Sequence, residues 1–211
     1  MAVFSPAARP DLVRRAFRLE WFTAGWLLIE AAVACSGVAA HSLTLIAFGA
    51  DSIIELVSAG VLLWRLNVEL RHGAEFPASV EHRASRFSAA LLFALAAYVV
   101  MNAAYGLWRR EGQEFSTSGL AIAVLAIPIM WWLARAKMRV AAQIGSRALR
   151  ADAVESITCG YLSGVVVLGL IAQLLMPGWW WVDSVASLAI VLLLVKEGRE
   201  AWEGQESDAT E

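Results

Sequence analysis

SLTLIAFGADSIIELVSAGVLLW, residues Ser42 to Trp64, decides the fold class. The stretch is long enough to cross a bilayer, which takes about 20 mostly apolar residues. Yet Asp51 and Glu55 sit in its middle, four residues apart and therefore on one helix face. An acid at the centre of a spanning helix costs about 2.5–3.5 kcal/mol on insertion scales and normally faces a bundle interior. A lone membrane anchor would not carry two. The stretch predicts a helical bundle with a polar centre.

Five further segments have the same apolar character: Leu19 to Ala39, Phe87 to Trp108, Thr117 to Ala134, Ala151 to Met176, and Trp179 to Val195. Pro128 in the fourth helix is tolerated where neighbours satisfy the freed carbonyl. Trp179, Trp180 and Trp181 anchor the short sixth helix at an interface. The whole chain agrees, with 59% apolar and 17% charged residues against about 45–50% and 25% in soluble domains. The expected fold is an all-α polytopic membrane protein with six transmembrane helices. Its basic residues orient it. Of 17, only Arg109 and Arg110 lie off the side holding the N-terminal segment, the 2–3 and 4–5 loops and the tail. Both termini are therefore expected in the cytoplasm. Residues 1–17 form a cytoplasmic segment, 18–200 the membrane domain, and 201–211 a short acidic tail.

Several function classes are excluded by the same arithmetic. A net charge of −2 gives no footprint for nucleic acid. Cys35 and Cys159 are too few for a disulfide framework, and Met1 to Ala16 has no secretory pattern. The three histidines are expected in loops, so neither an intramembrane Ser–His protease nor another enzyme is expected. The expected location is the lipid bilayer of a bacterial inner membrane.

The intramembrane acids carry the functional reading. They are Glu30, Asp51, Glu55, Asp152 and Glu155, with Asp183 opening helix 6. The basic residues cluster at helix ends, so these acids call for a cation or protons. Asp152, Glu155 and Cys159 lie along one stripe of helix 5. If it faces helix 2, Asp51, Glu55, Glu155 and Cys159 converge as four ligands. Three carboxylates and a thiolate suit zinc above all, then cobalt or cadmium; magnesium and calcium prefer all-oxygen shells. Manganese and iron remain further cargo candidates. Without metal, such groups in low dielectric cannot all stay ionised, and a bound divalent cation displaces the protons they hold.

Plainer roles compete at each position. Glu30 suits a hydrogen bond to a neighbouring helix's Ser or Thr. Asp152, near Arg147 and Arg150, suits a surface ion pair or a cap, and Asp183 an N-cap. Cys159 has packing as its alternative, and Cys35 reads as packing. Ser156, Gly160 and Gly164 form a small-residue ridge for close helix approach. The run Glu69 to Arg86 reads as a solvated loop.

At these helices the sequence resembles the cation diffusion facilitator, or cation efflux, family. Gly37 to Glu55, with Ser42-Leu43 and an Ala-rich approach to Asp51-x-x-x-Glu55, is similar to the family's helix 2 pattern. Ala151-Asp152-Ala153 followed by Glu155-x-x-x-Cys159 is similar to helix 5, and Trp181-Val182-Asp183 to the start of the last helix. The resemblance implies ligand roles for Asp51, Glu55, Glu155 and Cys159, with Glu at 55 and 155 and Cys at 159 departing from the usual residues. It implies a membrane-domain-only member, a homodimer and alternating access. The expected function is proton-coupled export of a divalent metal; the alternative is a non-transporting scaffold or metal-sensing subunit.

Overall fold

A computed structural model describes residues 9–39, 43–73, 77–110, 117–176 and 178–203, with no strand among them. Five long helices come first: α1 (Arg9–Ala39), α2 (Leu43–His72), α3 (Ala78–Arg109), α4 (Thr117–Ile144) and α5 (Arg147–Leu175). Two short ones follow, α6 (Val182–Leu188) and α7 (Val191–Glu203). The chain is all-α, as its composition requires. Among the described residues, three helices are long and apolar enough to cross a membrane: Ala78–Arg109, Thr117–Ile144, and the Arg147–Gly169 part of α5. At 1.5 Å per residue α3 extends about 48 Å, well beyond a hydrocarbon core of about 30 Å. Trp21, Phe22, Trp108, Trp131 and Trp132 all point outward. Water would penalise that surface; lipid accommodates it.

The helices overrun the spans expected from hydropathy, and α4 does so most consequentially. It continues through Ile144 because Ala136, Val140, Ala141 and Ile144 prolong its buried stripe at helical spacing. The 4–5 loop shrinks to Gly145 and Ser146. Gly145 has φ +68°, a left-handed conformation that favours glycine, and the Ser146 amide reaches back to the Ala141 carbonyl at 3.1 Å. The Ser146 hydroxyl then accepts from the Leu149 amide at 3.1 Å and caps α5.

The expected sixth helix is divided. Around Ala189 and Ile190 the ladder tightens to i→i+3 bonds, Ala189 to Ala186 at 3.1 Å and Ile190 to Ser187 at 3.4 Å. This break separates α6 from α7. Asp183 falls inside the first turn of α6 rather than at its cap, which is Trp181.

Two apolar cores result. One joins α1, α2, α4 and α5 through residues such as Leu27, Leu62, Leu66, Leu133 and Leu149. The other joins α3 and α7 to the start of α5 through Leu92, Leu95, Val154 and Leu194. Among the described residues α5 contributes several side chains to each core, which places its polar face between them.

The stretch from Glu69 to Arg86 is not a solvated loop. α2 runs to His72 and α3 starts at Ala78, which also places His72 and His82 on helices; His41 lies outside the described residues. Glu69 is buried and pairs with Arg65 at 2.6 Å and Arg9 at 2.8 Å. Glu81 pairs with Arg65 and accepts from the Ser146 hydroxyl at 2.9 Å and the Ala148 amide at 3.3 Å. Four helices are tied at this end, because a buried charge needs a partner.

Candidate metal centre

Helix periodicity puts Asp51, Glu55 and Ser58 on one face of α2, and all three are buried. On α5 the same spacing places Asp152, Glu155, Ser156, Cys159 and Ser163 inside. The two faces meet. Asp51, Glu55 and Cys159 each offer a ligand atom, and these atoms lie within 4.8 Å of one another. Tetrahedral zinc sites with bonds of about 2.0–2.3 Å hold their ligand atoms about 3.5 Å apart, so small side-chain shifts would close the trio on one ion.

Glu155 is not part of that trio. It lies one helical turn from Cys159, is 1% exposed, and has no full hydrogen bond on either carboxylate oxygen. Ser58 lies beside it, and Glu55 is within its electrostatic reach. Asp51 Oδ1 and both Glu55 oxygens are likewise buried without a hydrogen-bond partner. Buried carboxylate oxygens are normally satisfied, so this concentration of orphans makes the place a candidate for a positive ligand.

Glu30 behaves differently. It too is fully buried, but the Trp26 indole N–H donates to Oε1 at 2.6 Å and the Ser52 hydroxyl to Oε2 at 3.3 Å. This is the bond to a neighbouring helix's serine that its sequence position implied. Both oxygens are engaged, and Glu30 fastens α1 to α2 immediately beside Asp51. The side chains of Cys35 and Asp183 lie outside those described.

Two readings need correction. Lys137 is not a loop residue, and Asp152 is neither a surface partner of Arg147 and Arg150 nor a cap. Lys137 is fully buried on α4, and its ammonium bonds Asp152 at 2.5 Å, Glu20 at 3.2 Å and the Ser156 hydroxyl at 3.4 Å. The cause is the extra length of α4, which carries residue 137 inward on the stripe of Leu133, Ala134, Val140 and Ala141. Two carboxylates and a hydroxyl then offset the desolvation of the ammonium. Arg150 turns outward instead, to Glu197 at 2.9 Å and Glu200 at 3.0 Å on α7. Glu20 and Lys137 thus form a site that hydropathy windows pass over. Their signal is the helical period itself: continued through Ile144, it puts Lys137 among buried positions.

The small-residue ridge works toward α4 rather than α2. A Cβ added at Gly160 would stand 3.3 Å from Met130 Cβ and 3.8 Å from the Trp131 amide nitrogen. Gly164 has no comparable neighbour. Close approach of α4 and α5 is what lets the Lys137 stem reach Asp152.

Residues 22–204 match the model of the cation efflux transmembrane domain. The chain is also 29% identical over 180 residues to an uncharacterized transporter of Synechocystis sp., an alignment covering 78% of this chain and 56% of that relative. The matched region contains every helix from α2 to α7 and therefore the whole acid–thiol trio. With its apolar helices and its buried polar centre, the chain belongs to the cation efflux family of membrane proteins.

Proposed function

We propose that this chain exports a divalent metal ion, zinc in preference, in exchange for protons, through a site formed by Asp51, Glu55 and Cys159 and completed by Glu155. The observation that carries the reading is the set of buried carboxylate oxygens without hydrogen-bond partners on Asp51 and Glu55 beside the buried Cys159 thiol, with two more on Glu155 one helical turn away along α5. A divalent cation satisfies all of them at once. Glu155 is the natural fourth ligand because neither of its oxygens has a full hydrogen bond, whereas both oxygens of Glu30 are already bonded.

The donor set supports a borderline-soft metal. A thiolate among carboxylates favours zinc, cadmium or cobalt over magnesium or calcium, and leaves manganese and iron as weaker cargo. Metal binding requires the thiol and carboxyls to be deprotonated, so loading expels protons and unloading recovers them. Exposure of the site to each side in turn converts that linkage into exchange. In this reading α1 to α5 and the α6–α7 pair make six spans with both termini in the cytoplasm of a bacterial cell, and two copies form a homodimer.

Purified protein in liposomes carrying a metal dye and a pH dye tests the proposal. Zinc influx accompanied by opposite proton movement is expected, abolished by Glu55→Gln. Cys159→Ser is expected to weaken cadmium more than zinc. Flux no greater than in empty liposomes for zinc, cadmium, cobalt, manganese and iron would sink it.

A further inference from the structure

Lys137 lies within a turn of the proposed metal site without being able to ligate metal in its charged form. Its ammonium touches Asp152 and Ser156 on α5, and Asp152 stands one turn before Glu155 on the same stripe of that helix. Cys159 follows three residues after Ser156. Both Glu155 and Glu55 lie within electrostatic reach of the ammonium. Glu20 and Asp152 hold Lys137 in place from α1 and α5, so this positive charge is a fixed part of the interior.

Resting on the metal reading of the trio, we infer that Lys137 is a tethered cation that weakens the site's hold on its cargo, setting an affinity low enough for release. The argument is one of charge. Removing the lysine's charge makes the cluster of Glu20, Asp152 and Lys137 one unit more negative at any given protonation of its acids. A positive charge about 10 Å from a divalent ion, at the effective dielectric of protein interiors, lowers that ion's affinity at least tenfold. Cargo binding near Glu155 therefore opposes a charge that cannot leave, whereas an unbuffered acid cluster would bind a divalent ion too tightly to turn over. Lys137 is thus a positioning residue for charge, acting through the field at Glu55 and Glu155.

The test measures zinc and cadmium binding to the full chain in detergent by competition with a chelating dye, together with turnover in liposomes. Lys137→Gln is expected to tighten binding about tenfold or more and to slow turnover, while Lys137→Arg leaves both near wild type. Because Lys137→Gln strands two buried acids, its folding is checked by monodispersity. The double variant Lys137→Gln/Asp152→Asn, which restores the original net charge, covers the case where the single variant does not fold. That double variant is expected to return affinity to within about threefold of wild type. A merely structural lysine predicts the opposite sign, with binding weakened or unchanged in Lys137→Gln; either result overturns the inference. In the double variant alone, binding weakened beyond threefold overturns it as well. Failure of the wild-type chain to bind either metal would instead overturn the metal reading, and this inference with it.

Discussion

Two tiers of buried acids stand one helical turn apart along α5, and they are opposite in kind. In one, Glu20 and Asp152 close on Lys137, so a resident positive charge faces both acids within the chain. In the other, Asp51 and Glu55 meet Cys159, and Glu155 stands one turn away, with buried carboxylate oxygens on all three acids left without a full hydrogen bond. The same side-chain chemistry in the same apolar surroundings thus does two jobs. An acid with a resident base ties helices together; an acid without one holds a proton or, in the proposed reading, the charge of a metal cargo. Glu30 marks the boundary, since neutral donors from Trp26 and Ser52 engage it without cancelling its charge.

The sharpest way to break this contrast is to remove one acid from the unbalanced tier. Glu55→Gln is expected to cut metal flux by at least about 100-fold while leaving thermal stability unchanged or slightly higher, because orphaned buried charge costs stability. Glu30→Gln should lower flux by less than about tenfold. Parallel liposome assays and melting curves in detergent check both. A large loss of stability in Glu55→Gln would put it in the structural tier and erase the distinction.

The reverse substitution lies in the balanced tier. Lys137→Met leaves Glu20 and Asp152 facing each other in the interior, and breaking a buried pair in this way costs about 3–5 kcal/mol. A drop of that size in detergent unfolding is expected. If Lys137→Met instead melts like wild type, the ion pairs around it are not what fastens α1, α4 and α5.

How much of this could be read in advance depended on the physical signal at each place. Asp51, Glu55 and Cys159 were legible because spacing of four on an apolar helix fixes a shared face, and only an inward face is affordable for acids in lipid. The all-helical architecture followed from length and hydropathy for the same reason. Lys137 and Glu20 were missed because a window that scores hydropathy ends a span at the first charges, Arg135 for α4, while the helix itself continues as long as its buried stripe does. Asp152 was misassigned to Arg150 because proximity in sequence favoured that pair; the inward turn of residue 152 depends on how closely α4 packs at Gly160. The division of α6 from α7 left no mark, since Ala189 and Ile190 carry no breaker residue.

Gly160 supplies the next smaller effect. With Met130 Cβ standing 3.3 Å from where its own Cβ would be, Gly160→Val forces α4 away from α5. Overpacking of this kind costs about 1–3 kcal/mol. The displacement also lengthens the Lys137–Asp152 contact, so Gly160→Val combined with Lys137→Met should cost less than the two single changes summed. Melting of the single and double variants reads this coupling directly. Strict additivity would mean that the ridge and the ion pair act independently.

The smallest effect is expected at Ser146, and it probes whether the balanced end is one network or a set of separate bonds. Its hydroxyl accepts from the Leu149 amide and donates to Glu81, which in turn holds Arg65 and the Ala148 amide. Ser146→Ala removes an N-cap, which by itself costs about 1 kcal/mol. It leaves Glu81 with Arg65 and the Ala148 amide, so the buried guanidinium keeps its partner. A loss near 1 kcal/mol, with metal affinity unchanged, is therefore the outcome for separate bonds. A loss approaching that of Lys137→Met would mean that Ser146 orients Glu81 toward Arg65, making the α4–α5 turn the keystone of the whole balanced end.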